Sequence, residues 1–199
     1  MATALPQTAA NFATLNMRSE DNLLSSQSLS KRWYTRAVGG QAWAFTARWQ
    51  MLTNAEARAV MGVVAGLRGP LNELTMIPPV LKDGVGIYSG TPLVNGGSQT
   101  GSSLILDGAS TTITDWAKAG DYFNIAGEEK VYQITADASS DGAGNVTLSI
   151  YPPLVSSPAN NSAVTFSDVT FNMRMVNQYQ ARGVQPNHFV IELDMVESF

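Results

Sequence analysis

The chain of 199 residues contains no cysteine, which excludes disulfides, thiol catalysis and thiolate metal sites. It has a single histidine, His188, and only 14% of its residues are charged, against about a quarter in an ordinary globular chain. No stretch approaches about 18 uninterrupted apolar residues, so no membrane-spanning helix is expected. Long basic runs are missing too, and the formal net charge is −4 with a pI near 4.9. Affinity for nucleic acid through clustered phosphate-neutralising cations is therefore a poor default. Met1 to Gln7 lacks the basic and apolar regions of a signal peptide, so synthesis in the cytoplasm is expected.

What is present fits a folded protein. Hydrophobic residues make up 44% of the chain, and its length can bury the core of one large β domain or two small ones. A surface so poor in charge relies on Ser, Thr, Asn, Gln and Gly. Such a surface suits a subunit covered by neighbours, although a secreted β protein looks the same.

Residues 1 to about 30 are polar and rich in Ala and Ser, with weak apolar punctuation at Phe12, Leu15, Leu23 and Leu24. They read either as an arm ordered against a partner or as an edge strand of the main sheet. Residues 31–38 then read as a strand, Gly39-Gly40 as a hairpin turn, and Gln41–Leu52 as the return strand. Period two places Trp43, Phe45, Ala47, Trp49 and Met51 on the inward face, with Arg48 and Gln50 outward. Thr53 and Glu56 have the spacing of a capping box, opening a helix to about Leu67 with Val60, Val63, Val64 and Leu67 on one face. Gly62 and Gly66 each cost such a helix about 1 kcal/mol relative to Ala, and close packing on the sheet would explain them. Gly69-Pro70 stops the helix, and a strand from Asn72 to Ile77 runs into Pro78-Pro79.

From about residue 80 the composition shifts to Gly, Ser and Thr with sparse charge. Strands are expected at Ser102–Leu106, Tyr122–Ile125, Lys130–Ala136 and Asn145–Tyr151, the last two joined by a turn containing Gly142 and Gly144. Short strands at this spacing predict a small barrel or sandwich, inserted into the main sheet. Alternation resumes at Val169, Phe171, Met173 and Met175, and again at Phe189, Ile191, Leu193 and Met195, with a turn expected over 183–187.

No set of residues supplies a nucleophile, a base and an orienting group together, so an enzyme is not expected. His188 reads as a strand-entry residue rather than a triad member, since Asp194 lies across the alternation from the apolar face. One histidine and scattered carboxylates make no metal site, and no cofactor is expected. Asp137 to Gly142 lacks the alternating acids of a calcium loop and reads as a hairpin tip. The Gly96–Gly101 segment lacks the lysine of a phosphate-binding loop and reads as a linker into the insertion. Glu128-Glu129 reads as a solvated turn. Lys31, Arg32, Trp33, Tyr34 and Arg36 form a basic, aromatic cluster. It fits either single-stranded nucleic acid or a polar-rimmed contact between subunits, and the acidic balance of the chain favours the second.

Taken in order, residues 31–79 have a recognisable sequence. It runs Arg32-Trp33-Tyr34, Trp43, Phe45, Arg48-Trp49, Leu52-Thr53, Glu56-Ala57, Gly66-Leu67-Arg68-Gly69-Pro70, and Leu74 to Pro79. It resembles the minor tail and distal tail proteins of tailed bacteriophages over residues 31–79. Residues 102–153 are more loosely similar to β modules of phage virion proteins. The resemblance implies a mainly β fold with one α-helix. Residues 31–83 plus 167–199 would form a split β-barrel of the tail-tube type, with residues 1–30 as an N-terminal arm and 84–166 as an inserted small barrel or sandwich. It further implies a structural protein of the virion, made in the host cytoplasm and assembled into a hexameric ring. That ring would join the tail tube to the tip or baseplate, hold hub and fibre proteins, and continue the DNA channel without binding DNA specifically or meeting a membrane. Rival readings are a tail tube, a tail terminator or a capsid decoration protein. A further rival, of a different class, is a carbohydrate-binding module with Trp116, Tyr122 or Tyr132 as its platform.

Overall fold

The computed structural model describes residues 3–4, 13–185 and 188–199. Its backbone divides into two compact units, Met1–Leu74 with Met173–Ser198, and Thr75–Asn172 with Phe199. In chain order the strands before the helix are β1 (Thr3–Ala4), β2 (Thr14–Glu20), β3 (Leu23–Gln27), β4 (Trp33–Ala37) and β5 (Ala42–Thr53). Helix α1 (Asn54–Leu67), a 3-10 turn (Gly69–Leu71) and β6 (Leu74–Met76) follow. Next come β7 (Gly90–Val94), β8 (Ser103–Ala109), β9 (Tyr122–Ile125), β10 (Val131–Ile134), β11 (Val146–Tyr151) and β12 (Val164–Thr165). The chain ends with β13 (Phe171–Met175), β14 (Gln180–Gln185) and β15 (His188–Glu197). The fold is thus mainly β with one α-helix, as expected.

The main sheet has the order β1-β6-β13-β15-β5-β2, with β14 also paired to β15. Next to its β2 edge lies the long strand β5, whose Trp43, Phe45, Ala47 and Trp49 are buried. Burying one such large side chain contributes about 1.5–3 kcal/mol, so this face organises the first core. Two expectations fail here. The first is the 31–38/41–52 hairpin. Both edges of β5 are taken, by β2 and by β15, which leaves none for β4. Strand β4 pairs with β3 instead, as a separate two-stranded sheet, and Gly39-Gly40 carries the chain from one sheet to the other. The second is Met51, expected inward but 58% exposed. Leu52 pairs with Phe189 and Trp49 with Ile191, so β5 holds one residue more than β15 over this interval. Met51 absorbs that bulge at φ 57°, which turns Leu52 into the core.

The capping box forms as read: Glu56 N–H donates to the Thr53 hydroxyl, and the Thr53 N–H donates to the Glu56 carboxylate. These bonds hold the Glu56 carboxyl below its usual range, the Thr53 backbone bond first. Ala57, Val60, Val64 and Leu67 are buried, while Val63 is half-buried. Gly62 and Gly66 are exposed, and a Cβ at either would meet nothing within 4 Å. Close packing therefore does not explain them. Arg68 closes the helix in the left-handed conformation at φ 55°.

Of the two readings of residues 1–30, the edge strand describes Thr14–Glu20, which pairs with β5 along its length. The turn expected over 183–187 is shorter than that, because Gly183 and Gln185 stand in β14 opposite Phe189 and His188. Residues 186 and 187 lie outside the described residues.

In the second unit, six strands run in the order β12-β9-β10-β11-β8-β7. A bridge between Leu93 and Ala163 brings the two ends together, with Val94 N–H donating to the Ser162 carbonyl and Asn161 N–H to that of Val94, each at 2.9 Å. The result is a nearly closed barrel. Inside it lie Leu104, Leu106, Trp116, Phe123, Tyr132 and Phe166, among others. The expected strands appear with small boundary shifts, while β7 and the two-residue β12 carried too little alternation to be read. The Gly96–Gly101 segment is not a linker into this unit. It is the β7–β8 connection, held by Gln99, whose side chain bonds both the N–H and the carbonyl of Ile105.

Candidate subunit interface

Strands β3 and β4 form a hairpin that stands as its own two-stranded sheet. Every residue of both strands is exposed. The register puts Leu23, Ser25 and Gln27 opposite Ala37, Thr35 and Trp33 on one face. Leu24 and Ser26 lie opposite Arg36 and Tyr34 on the other. The connecting loop is closed by Ser28, whose N–H donates to the Arg32 carbonyl and whose carbonyl accepts from Lys31 N–H, each at 2.9 Å. Lys31 takes φ 61° there. Trp33 is 65% and Tyr34 61% exposed, values unusual for aromatic side chains.

The structure thus separates the five residues singled out by sequence. Tyr34 and Arg36 share a face, Trp33 occupies the opposite one, and Lys31 and Arg32 sit at the tip. Among the described residues none of Lys31, Arg32 and Arg36 has an ion-pair partner. Leu23, Leu24, Leu29 and Val38 also stand in solvent. Leu23 and Leu24 read in the sequence only as weak punctuation, and Leu29 and Val38 carry no pattern there. A usable signal did exist: from Asn22 to Ala55 the chain has no acidic residue, while Lys31, Arg32, Arg36 and Arg48 fall within that span.

The remaining candidates are occupied by local structure. His188 opens β15 opposite Thr53. Asp141 accepts from the N–H groups of Ala143 and Asn145 and from the Asn145 amide, which depresses its pKa, the Asn145 side chain first. Its carboxylate builds the hairpin turn. Asp137 binds Ala119 N–H and Lys118, and both lower its pKa. Glu128 accepts from the hydroxyls of Tyr132 and Ser156. No group of three or more His, Cys, Asp or Glu among the described residues is placed to hold a metal ion. The aromatic platform of the carbohydrate reading is not available: Trp116 and Tyr132 are fully buried in the barrel and Tyr122 is half-buried. Trp116 is fixed there by its indole N–H, which donates to the Ser89 carbonyl at 2.9 Å, and by edge-on contact with Tyr88 and Phe166.

Comparison with known proteins finds a match on the second unit. Residues 84–169 fit the family model described as the B domain of distal tail protein pb9. A stretch of 79 residues is 34% identical to the distal tail protein pb9 of Escherichia phage T5, covering 40% of this chain and 37% of that protein. The chain therefore matches little more than a third of that relative. The family match falls on the barrel, the part whose sequence resemblance was looser, and leaves the aromatic strand and capped helix of the first unit outside it.

Proposed function

We propose that this chain, whose residues 84–169 match the model of the distal tail protein pb9 B domain, is a structural subunit of a phage tail. In this reading it is a distal tail or tube-initiator protein, and copies of it close into a hexameric ring between the tail tube and the tip or baseplate. Residues 31–83 plus 167–199, which hold the helix and most strands of the main sheet, act as the tube-like core. The hairpin bearing Lys31, Arg32, Trp33, Tyr34 and Arg36 takes part in subunit contacts. Hub and fibre proteins are the outward partners, and DNA passes through the lumen.

The observation that carries this reading is the B-domain match. The two-unit organisation, with the matched barrel placed between β6 and β13 of the main sheet, supports it. Low charge density suits extensive subunit burial, and a net charge of −4 suits a channel through which DNA slides without sticking. Identical heterologous contacts that close after a fixed rotation produce a ring. Negative-stain imaging of the purified chain tests the proposal, with antibody labelling of virions as the second arm. Rings in the first and label at the tail tip in the second are expected. A strictly monomeric protein absent from tail tips would sink it.

A further inference from the structure

Two groups of large apolar side chains stand exposed outside the two cores. One is the β3–β4 hairpin, with Leu24, Leu29, Trp33 and Tyr34. The other is the segment leading into the barrel, where Val80 and Val85 are each 83% exposed and Ile87 is also open to solvent. Their charges are opposite. The hairpin carries Lys31, Arg32 and Arg36 with no acid. Around Val80 and Val85 stand Asp83 and Asp168, with Lys82 already paired to Asp168 at 3.4 Å. The Asp83 carboxylate has no partner among the described residues. The asymmetry extends to the units. The first holds nine Lys and Arg against seven Asp and Glu, net +2, and the second three against nine, net −6.

The second segment is also shaped to receive something. Val80, Leu81, Asp83 and Val85 line a recess of about 260 Å³ together with Ala119 and Gly120. Its floor is rigid, because Asp121 holds the N–H groups of Val85 and Gly86 and the Asp168 N–H donates to the Lys82 carbonyl at 2.7 Å. The hairpin is the less settled partner: a two-stranded hairpin exposed on both faces is marginally stable by itself. Docking by the face that carries Arg36 would bury Leu24 and Tyr34.

We infer that the β3–β4 hairpin of one copy docks into the Val80–Val85 recess of a second copy, with Arg32 and Arg36 facing Asp83. The contact is head-to-tail, since the two surfaces differ, and repetition of such a contact closes a ring or extends a filament. The inference rests on the ring reading and names the surfaces that would build it.

The test uses the full chain and compares two charge reversals by mass photometry over a concentration series. The first is Arg32→Glu with Arg36→Glu, and the second is Asp83→Lys with Val85→Lys. Each variant alone is expected to lose self-association by about tenfold or more, because like charges then face each other. An equimolar mixture is expected to recover it, since each variant supplies the surface that the other needs, and misfolded chains cannot produce that recovery. As an independent readout, p-benzoylphenylalanine in place of Tyr34 should cross-link to the peptide containing residues 80–87. If the wild type forms rings and both variants form them equally well, this contact is wrong and the ring reading stands. A wild type that stays monomeric overturns both. Loss of retention on duplex DNA by the hairpin variant, with assembly unchanged, would assign the hairpin to DNA and overturn the inference.

Discussion

Tyr88 donates its hydroxyl to Oδ2 of Asp121 at 2.5 Å, and the same oxygen accepts the N–H groups of Val85 and Gly86 at 2.8 and 2.9 Å. Three donors on one carboxylate oxygen fix the entry to the barrel. The Tyr88 ring stacks on Phe166 at 4.1 Å and packs so close that a Cβ at Gly84 or Gly86 would strike it at 2.5 or 2.6 Å. Asp121→Asn keeps an acceptor but removes its charge, and should cost about 1–3 kcal/mol in thermal or urea unfolding. Tyr88→Phe retains the stack and should cost less. Equal, negligible losses would mean that the cluster does not anchor this segment.

Burial first, and then the Asp121 carboxylate, push the Tyr88 hydroxyl far above the ordinary tyrosine range. The folded state therefore keeps a proton that the unfolded chain releases from about pH 10 upward. This contribution to stability is complete below that pH and is lost as pH rises beyond it. Spectrophotometric titration of the folded protein to about pH 11 should give the same tyrosinate amplitude for wild type and Tyr88→Phe. A smaller amplitude in the variant would show that Tyr88 ionises normally.

The bulge at Met51 makes a prediction that strict alternation reverses. Leu52→Ala should cost about 2–5 kcal/mol, as expected for a buried leucine, and Met51→Ala should have almost no effect. Denaturant unfolding of the pair decides between them. A large loss at Met51 with little at Leu52 would mean that β5 runs without a bulge.

Gly144 stands at φ 81° with its Cβ position 2.5 Å from the Ala109 carbonyl oxygen, whereas a Cβ at Gly142 would meet nothing within 4 Å. Gly144→Ala combines left-handed strain with a backbone clash and should cost upward of about 1 kcal/mol. Gly142→Ala should be close to neutral. Both are read from thermal melting, and similar melting temperatures for the two would contradict this geometry.

These contrasts also locate what was legible in the sequence. The alternation of Trp43, Phe45, Ala47 and Trp49 and the Thr53–Glu56 cap are local patterns, and they formed as read. Met51 escaped because a bulge depends on how many residues β15 supplies opposite β5. The partner of Trp33–Ala37 escaped for the same reason, since Gly39-Gly40 gives no sign that β2 and β15 already occupy both edges of β5. Strands β7 and β12 are legible only through the barrel they close. For the candidate interface, the cluster of Lys31, Arg32, Trp33, Tyr34 and Arg36 was visible. Its isolation on a hairpin exposed on both faces was not, because exposure depends on what fails to pack against it.

Copy number per virion, measured by mass spectrometry against isotope-labelled peptides, tests most directly whether this chain is a ring subunit of the phage tail. The proposal predicts one ring's worth of copies, about six per particle for the hexamer proposed here by closure of heterologous contacts. Absence from purified virions, or the hundreds of copies that a tail tube or a capsid decoration needs, would contradict it.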